Sequence, residues 1–419
     1  MAKTVDVDVL VLGGGIQAIS LLRELSTDFS VLAIDQGLDD AESLHFHGYF
    51  SSGWNAAHPS AAKAYLKAAQ FWRTQLESDG VDSHITDFYA ALPREFLDIV
   101  EPNWIAAGIP VEEVPIPAPL VTTSLPSHQC FRFADDLMFD GAEAYRRFSA
   151  PVSEKLVKGS IRKFDKDSGG VTEVSADIGG SSHQIKPQLV LSACGAGNAA
   201  ILESLGVPAQ GVRDSQVVQP LHMLLAKGAN TPPISAFLMD MVVAYHPLES
   251  GEGLWILTLN PEHPRFRSGV VDMRVAPPIE RALIRDTLDR LANCMTGFED
   301  WAAGCHWGVY AGWKTDAPGP DGDALVQLNY PRPYHIHSFD IANFLAVWPN
   351  HWGLAVEAAK EAGKWVRSKA KPRHPQSEAI GSLLSQSVGH QTICNKWQSD
   401  ELEWHSWAEF VQKMGLPIR

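Results

Sequence analysis

The sequence predicts an α/β fold centred on a parallel, Rossmann-like sheet. Three observations predict it. Val7 to Leu12 (VDVLVL) is a strand-length apolar run that passes directly into glycines and then a helical pattern. Two later apolar runs, Leu189–Leu191 and the first half of Phe344–Leu354 (FLAVWPNHWGL), also break into small or turn-forming residues. Strands buried on both faces of a parallel sheet read as continuous apolar runs of this kind. The composition, 45% hydrophobic and 20% charged, is that of a globular chain with a large core.

The first forty residues justify the sheet element by element. After the first strand, Ile16, Ile19, Leu22 and Leu25 share one helix face, with Arg23 and Glu24 turned away. A second strand, Ser30 to Ile34, ends at Asp35. Strand, G-x-G-x-x-A, helix, strand, acid is the order of a dinucleotide-binding fingerprint. Gly13 permits the tight turn, Gly15 admits a pyrophosphate to the backbone, and Ala18 lets helix and strand pack closely. The helix N-terminus, from Ile16 and Gln17 onward, offers free N–H groups and a partial positive charge. Asp35, followed by Gln36, is placed to accept hydrogen bonds from a ribose diol.

At 419 residues the chain is long enough for two or three domains. Its net charge of −15 argues against a nucleic-acid partner, since phosphate binding needs a basic surface. Five scattered cysteines without a CxxC exclude a disulfide framework and a cysteine zinc site. The acidic start lacks the apolar run of a signal peptide, and no apolar stretch reaches membrane-span length. The expectation is a cytoplasmic protein with no membrane partner.

The fingerprint alone leaves FAD and NAD open. Gln188 to Asn198 (QLVLSACGAGN) supplies a strand breaking into glycines where a chain could pass close to a cofactor. The segment Phe344–Leu354 starts a further helix whose N-terminus, near Asn350 to Gly353, again offers N–H groups. With the loop His45 to Gly53 (HFHGYFSSG), these segments resemble the FAD-dependent oxidoreductases of the D-amino-acid oxidase and glycerol-3-phosphate dehydrogenase superfamily. The resemblance runs from residue 7 to about 367.

What that resemblance implies is an FAD-binding, Rossmann-like domain interleaved with a mixed-sheet α+β substrate domain. Residues 1–60, 140–210 and 311–370 would form the FAD-binding domain, 61–139 and 211–310 the substrate domain, and 371–419 a C-terminal arm. That arm would pack on its own domain or on the partner in a homodimer. The implied cofactor contacts are Gly13, Gly15, Ile16, Gln17, Ala18, Asp35, Gln36, His47, Gly48, Ser51 and Gly195, with Asn350, His351, Trp352, Gly353 and Leu354 at the flavin pyrimidine. The chain departs from the family in carrying Asp35 where Glu is usual. It also has Pro349-Asn350-His351-Trp352-Gly353 where a G-x-G loop is usual, which argues against an ordinary amino-acid oxidase reaction.

Three side chains are candidates for the chemistry. His351 would stand near the flavin, where negative charge develops on reduction. Lys314, in WGVYAGWKTDAP, resembles the family's substrate-gripping Arg but lacks its planar fork. His47 lies in the flavin-side loop. The His45/His47 and His335/His337 pairs come without a carboxylate motif, so no metal is expected. Nine of the thirteen tryptophans (54, 72, 104, 255, 301, 307, 313, 348 and 352) fall in segments that would surround a cleft, and an aromatic wall would suit a ring substrate. The expected activity is removal of a hydride from a C–N or C–O bond of a small, anionic or aromatic substrate. A flavin monooxygenase using NAD(P)H and a non-catalytic FAD-binding subunit are the alternatives.

Overall fold

A computed structural model describes residues 3–37, 41–81, 87–121, 127–259, 271–272, 275–317, 334–373 and 393–416. The first apolar run becomes the strand Lys3–Leu12, which pairs in parallel with Val31–Asp35 on one side and Ser181–Ser192 on the other. The parallel set is extended by the start of Leu156–Asp167 and by Phe344–Trp348. The strand His335–His337 closes the edge antiparallel. Both faces are covered, which is why these strands carry apolar residues throughout. Helices Ile16–Leu25 and Ala355–Lys369 pack on one face with Val9, Val11 and Leu345. On the other, Leu10, Leu12 and Val190 meet Val174, Ala176 and Ile178 of a three-stranded meander formed by Leu156–Asp167, Gly170–Ile178 and Ser181–Ser192. Each buried valine, leucine or isoleucine among them contributes roughly 1.5–3 kcal/mol by leaving water.

Among the described residues, a second, nine-stranded sheet gathers Phe88–Pro93, Glu112–Glu113, His128–Phe133, Val217–Gly228, Ser235–Leu238, Met241–Pro247, Gly253–Leu259, His306–Asp316 and His405–Ser406. All its pairings are antiparallel except that of Ser235–Leu238 with Phe88–Pro93. Helices Arg281–Cys294 and Trp407–Met414 cover its back through Leu283, Ile284, Leu288, Phe410 and Met414. The described part of the C-terminal arm thus packs on its own chain, with Trp397 buried and His405–Ser406 paired to His306–Trp307.

Two segments span the expected divisions. Helix Pro59–Asp79 gives Tyr65, Ala68, Trp72 and Leu76 to the first-sheet core and Ala61, Ala62 and Leu66 to that of the second. Strand His306–Asp316 runs through position 311, and its last residues stay in the second sheet opposite Val217–Leu221. Among the described residues, no helix is long and apolar enough to cross a membrane.

Candidate functional site

A cleft of about 1460 Å³ runs from the end of the first strand to the second sheet, where Leu221, Met223, Tyr310 and Gly312 to Thr315 line it. It exceeds the few hundred to about 1,000 Å³ usual for a single small ligand. Gly13, Gly15, Ile16, Gln17, Asp35, Gln36, His47, Gly195, Lys314, Asn350, His351 and Trp352 all line it. Ala18, Gly48, Ser51, Gly353 and Leu354 do not; they are buried and support the lining from behind. Gly353 packs its backbone on the Phe50 ring, and its carbonyl accepts from Trp72 Nε1 at 2.7 Å.

At the first-sheet end the wall is mostly backbone. Gly13 has φ +107°, and a Cβ there would stand 2.5 Å from the Ala193 carbonyl oxygen, so only glycine fits. Helix Ile16–Leu25 starts at Gly15 without a capping bond from Gly15 itself. The cap comes instead from Ser43, whose Oγ accepts from Ile16 N at 2.9 Å. Ser43, eight residues ahead of the expected Ser51, is therefore the loop serine at the helix N-terminus. Tyr145 OH donates to the Gly14 carbonyl at 2.5 Å. Asp35 accepts from Gly37 N at 2.8 Å. Burial raises its pKa, while backbone N–H groups at Gly37 and Gly14 and the Lys158 charge pull the other way.

Past this cradle the wall becomes side chains. Glu42 opens on the cleft beside Gly195, where a Cβ would lie 2.8 Å from Glu42 Oε2. Its Oε1 accepts from Thr315 Oγ1 at 2.7 Å. Phe46 stacks on Trp352, with centroids 5.4 Å apart and planes 7° apart. The loop is anchored by buried Asp136, which accepts from Ser52 N at 2.7 Å, Tyr49 OH at 2.7 Å and Trp54 Nε1 at 2.9 Å.

The two candidate histidines are neutral. Burial pushes His47 and His351 down to about 3, helped for His351 by the nearby His47 and Lys314. His47 Nδ1 accepts from Tyr49 N at 3.2 Å and His351 Nδ1 from Gly353 N at 3.4 Å, so each ring carries its proton on Nε2. Asn350, at φ +55°, bridges to Ala317, accepting at 2.8 Å and donating at 3.1 Å. That clamps the turn before helix Ala355–Lys369 onto the end of strand His306–Asp316. Lys314 does face the cleft, but its Nζ lies 2.6 Å from both carboxylate oxygens of Asp316.

The aromatic wall is thinner than the sequence suggested. Of the nine tryptophans, Trp313, Trp348 and Trp352 line the cleft, whereas Trp54, Trp72, Trp255 and Trp307 are fully buried core residues. His335 and His337 stand on the edge strand of the first sheet, outside the lining. Sequence reasoning missed Glu42, Ser43 and Thr315, which carry no motif and meet only through folding. It also passed over His45 as a site residue, though its spacing with His47 was visible.

The residues present fit a bound dinucleotide. Among the described residues, four buried polar atoms on the lining lack a hydrogen-bond partner: Gln17 Oε1, both ring nitrogens of His45, and Trp352 Nε1. Leaving such atoms unpaired costs about 1–3 kcal/mol each, and a ligand in the cleft can supply partners. The glycine cradle leaves open the space beside the helix N-terminus.

Comparison with known proteins identifies the dinucleotide. The chain is 22% identical over 381 residues to a probable FAD-dependent oxidoreductase of Pseudomonas aeruginosa, covering 86% of this chain and 90% of that protein. The crystal structure of that relative superposes with a TM-score of 0.62, covering 89% of this chain and 94% of that one. Glycine oxidase from Geobacillus kaustophilus matches with a TM-score of 0.63 at 15% identity, over 92% of this chain and 100% of that one. L-α-glycerophosphate oxidase from Mycoplasma pneumoniae, solved with FAD bound, matches at 0.64 and 12% identity, over 88% of this chain and 97% of that one. These likenesses establish a shared fold. The model of the FAD-dependent oxidoreductase family, DAO, matches residues 8–348, and the chain therefore belongs to that family of FAD-dependent oxidoreductases.

Proposed function

We propose that this oxidoreductase removes a hydride from a C–N or C–O bond of a small substrate held between Asn350–Trp352 and strand His306–Asp316. The observation that carries the reading is the continuity of the cleft, which joins the Gly13–Gly15 cradle to His47, Lys314 and His351. FAD, when bound, supplies the two-electron acceptor. The names of two fold relatives, glycine oxidase and L-α-glycerophosphate oxidase, span both bond types.

The chain's own residues then divide the work. Gly13, Gly15 and the first turn of helix Ile16–Leu25 would cradle the pyrophosphate, with Asp35 on a ribose. The His47 and His351 rings, neutral with Nε2–H, would donate hydrogen bonds without carrying a proton into the site. Leu221, Met223, Tyr310 and Trp313 give the second-sheet end an apolar lining that excludes water from the reacting bond. Lys314 is already balanced by Asp316, so the pair presents no net charge to a substrate. A small substrate with one polar end suits this arrangement better than a strongly anionic one.

Anaerobic mixing of the holoprotein with amines, amino acids and hydroxy acids tests the reading. Loss of the flavin's visible absorption without NAD(P)H is expected for at least one of these classes. Bleaching by NAD(P)H alone would overturn it in favour of a monooxygenase.

A further inference from the structure

Glu42 has no place in the dinucleotide fingerprint, yet it lines the cleft alongside Gly13, Gly15 and Ser43. One carboxylate oxygen accepts from Thr315 Oγ1 at 2.7 Å, and the other packs against the Gly195 backbone. The cofactor of this family brings a doubly charged pyrophosphate to the neighbouring helix N-terminus. A carboxylate held in the same desolvated cleft would repel that charge, because nearby charges of like sign are weakly screened away from water.

We propose that Glu42 is a further cofactor-binding residue, and that FAD is held with Glu42 as a neutral carboxylic acid, so that cofactor and proton bind together. The inference rests on FAD occupying this cleft, and the flavin content of the wild-type protein tests that premise separately.

The surroundings support it from every side. Strand His306–Asp316 faces Glu42 with Lys314 and Asp316, which pair with each other and nearly cancel. Beside Gly195, burial pushes the Cys194 thiol up to about 12, so it is neutral. Helix Gly141–Ser149 presents Tyr145, a neutral phenol donating to Gly14, while its Arg146 and Arg147 both pair with Glu143. On the loop itself His45 is neutral, pushed down to about 4 by burial. Across the cleft His351 is neutral as well. Among the described residues, the cation that acts on Glu42 is Lys314, and Asp316 already pairs it. Burial accordingly raises its pKa to about 7, against the opposing pull of the Thr315 bond and Lys314. The free site thus gains a proton below about pH 7, and FAD pushes that proton affinity higher still.

The experiment follows FAD release by fluorescence when full-length holoprotein is diluted into buffers from pH 6 to pH 9, where FAD's phosphates do not titrate. The dissociation constant should be nearly flat below pH 7 and rise on the order of tenfold per pH unit above it. Glu42→Gln keeps a hydrogen-bond donor and cannot ionise; it should bind FAD with no such rise and hold it more tightly than wild type at pH 9. Wild-type protein that carries FAD but shows a flat profile would overturn the proposal, without needing any variant to fold. So would an unchanged slope in Glu42→Gln. Wild-type protein purified without flavin would instead remove the premise.

Discussion

The two ends of the cleft are built from different materials. At the first-sheet end the ligand would meet glycines, helix N–H groups and the acids Asp35 and Glu42, and the wall's shape is fixed by backbone conformation at Gly13 and by the Ser43 cap. At the second-sheet end it would meet histidines, a lysine–aspartate pair and apolar side chains set on a broad antiparallel sheet. A backbone cradle suits a ligand that never changes, because its contacts cannot be swapped by one substitution. A side-chain wall suits a ligand that differs between relatives, because each residue can be exchanged without disturbing the sheet beneath.

The largest expected effect belongs to the cradle. Gly15→Val places a branched side chain at the helix N-terminus, where even a Cβ would sit 3.1 Å from Ser43 Oγ. Purified variant should lack flavin while keeping its far-ultraviolet circular dichroism. Full flavin content would mean that the backbone at this end does not set the ligand's position, and the contrast between the two ends would fail.

A second substitution probes the side-chain wall. Lys314→Met keeps the apolar stem but removes the cation paired with Asp316, whose side chain is only 6% exposed. Removing one member of a buried pair costs roughly 3–5 kcal/mol. Denaturant unfolding should show that loss, and adding Asp316→Asn should recover much of it. If stability is unchanged and the Michaelis constant for an anionic substrate rises instead, on the order of tenfold, then the lysine serves the ligand rather than its neighbour.

The smallest effect is expected at Asp35. Its replacement by alanine should weaken FAD binding by about 1.5–3 kcal/mol, the value of a hydrogen bond to a charged group, and leave the fold intact. A fluorescence titration that finds no change would make Asp35 a turn residue only, employed in holding Gly37.

The same division explains how much was legible in the sequence. The cradle is local: strand, glycines, helix and acid follow one another within 35 residues, and the periodicity of each element is printed in its apolar pattern. Hence Gly13, Gly15 and Asp35 could be named in advance. The rest of the cleft is assembled from segments that lie apart in the chain, by 33 residues for Asn350 and Ala317 and by 273 for Glu42 and Thr315. Glu42 meets Thr315, and Asn350 meets Ala317, through contacts that no spacing encodes. Lys314 was visible as a candidate, and its pairing with Asp316, two positions on along one strand face, was open to the same reading but was not drawn. The tryptophans misled for a related reason. Composition shows that they are many, yet whether an indole fills the core or lines a cleft is decided by which face of which strand carries it.

The order in which the strands pair also bears on how the protein is made. Lys3 pairs with His183, and the Val190–Ser192 stretch pairs with Phe344–Ala346. At ribosomal speeds of about 5–20 residues per second, the first strand waits roughly ten to forty seconds for its downstream partner. Val5, Val7 and Leu10 spend that interval without their final cover. His306 then waits for Ser406, near the chain's end. The walls of the cleft, from Gly13 to Trp352, coexist only once most of the polypeptide has left the ribosome. A cleft complete enough to hold the cofactor thus exists only late in synthesis, and Val5, Val7 and Leu10 stay incompletely covered until Ser181–Ser192 arrives.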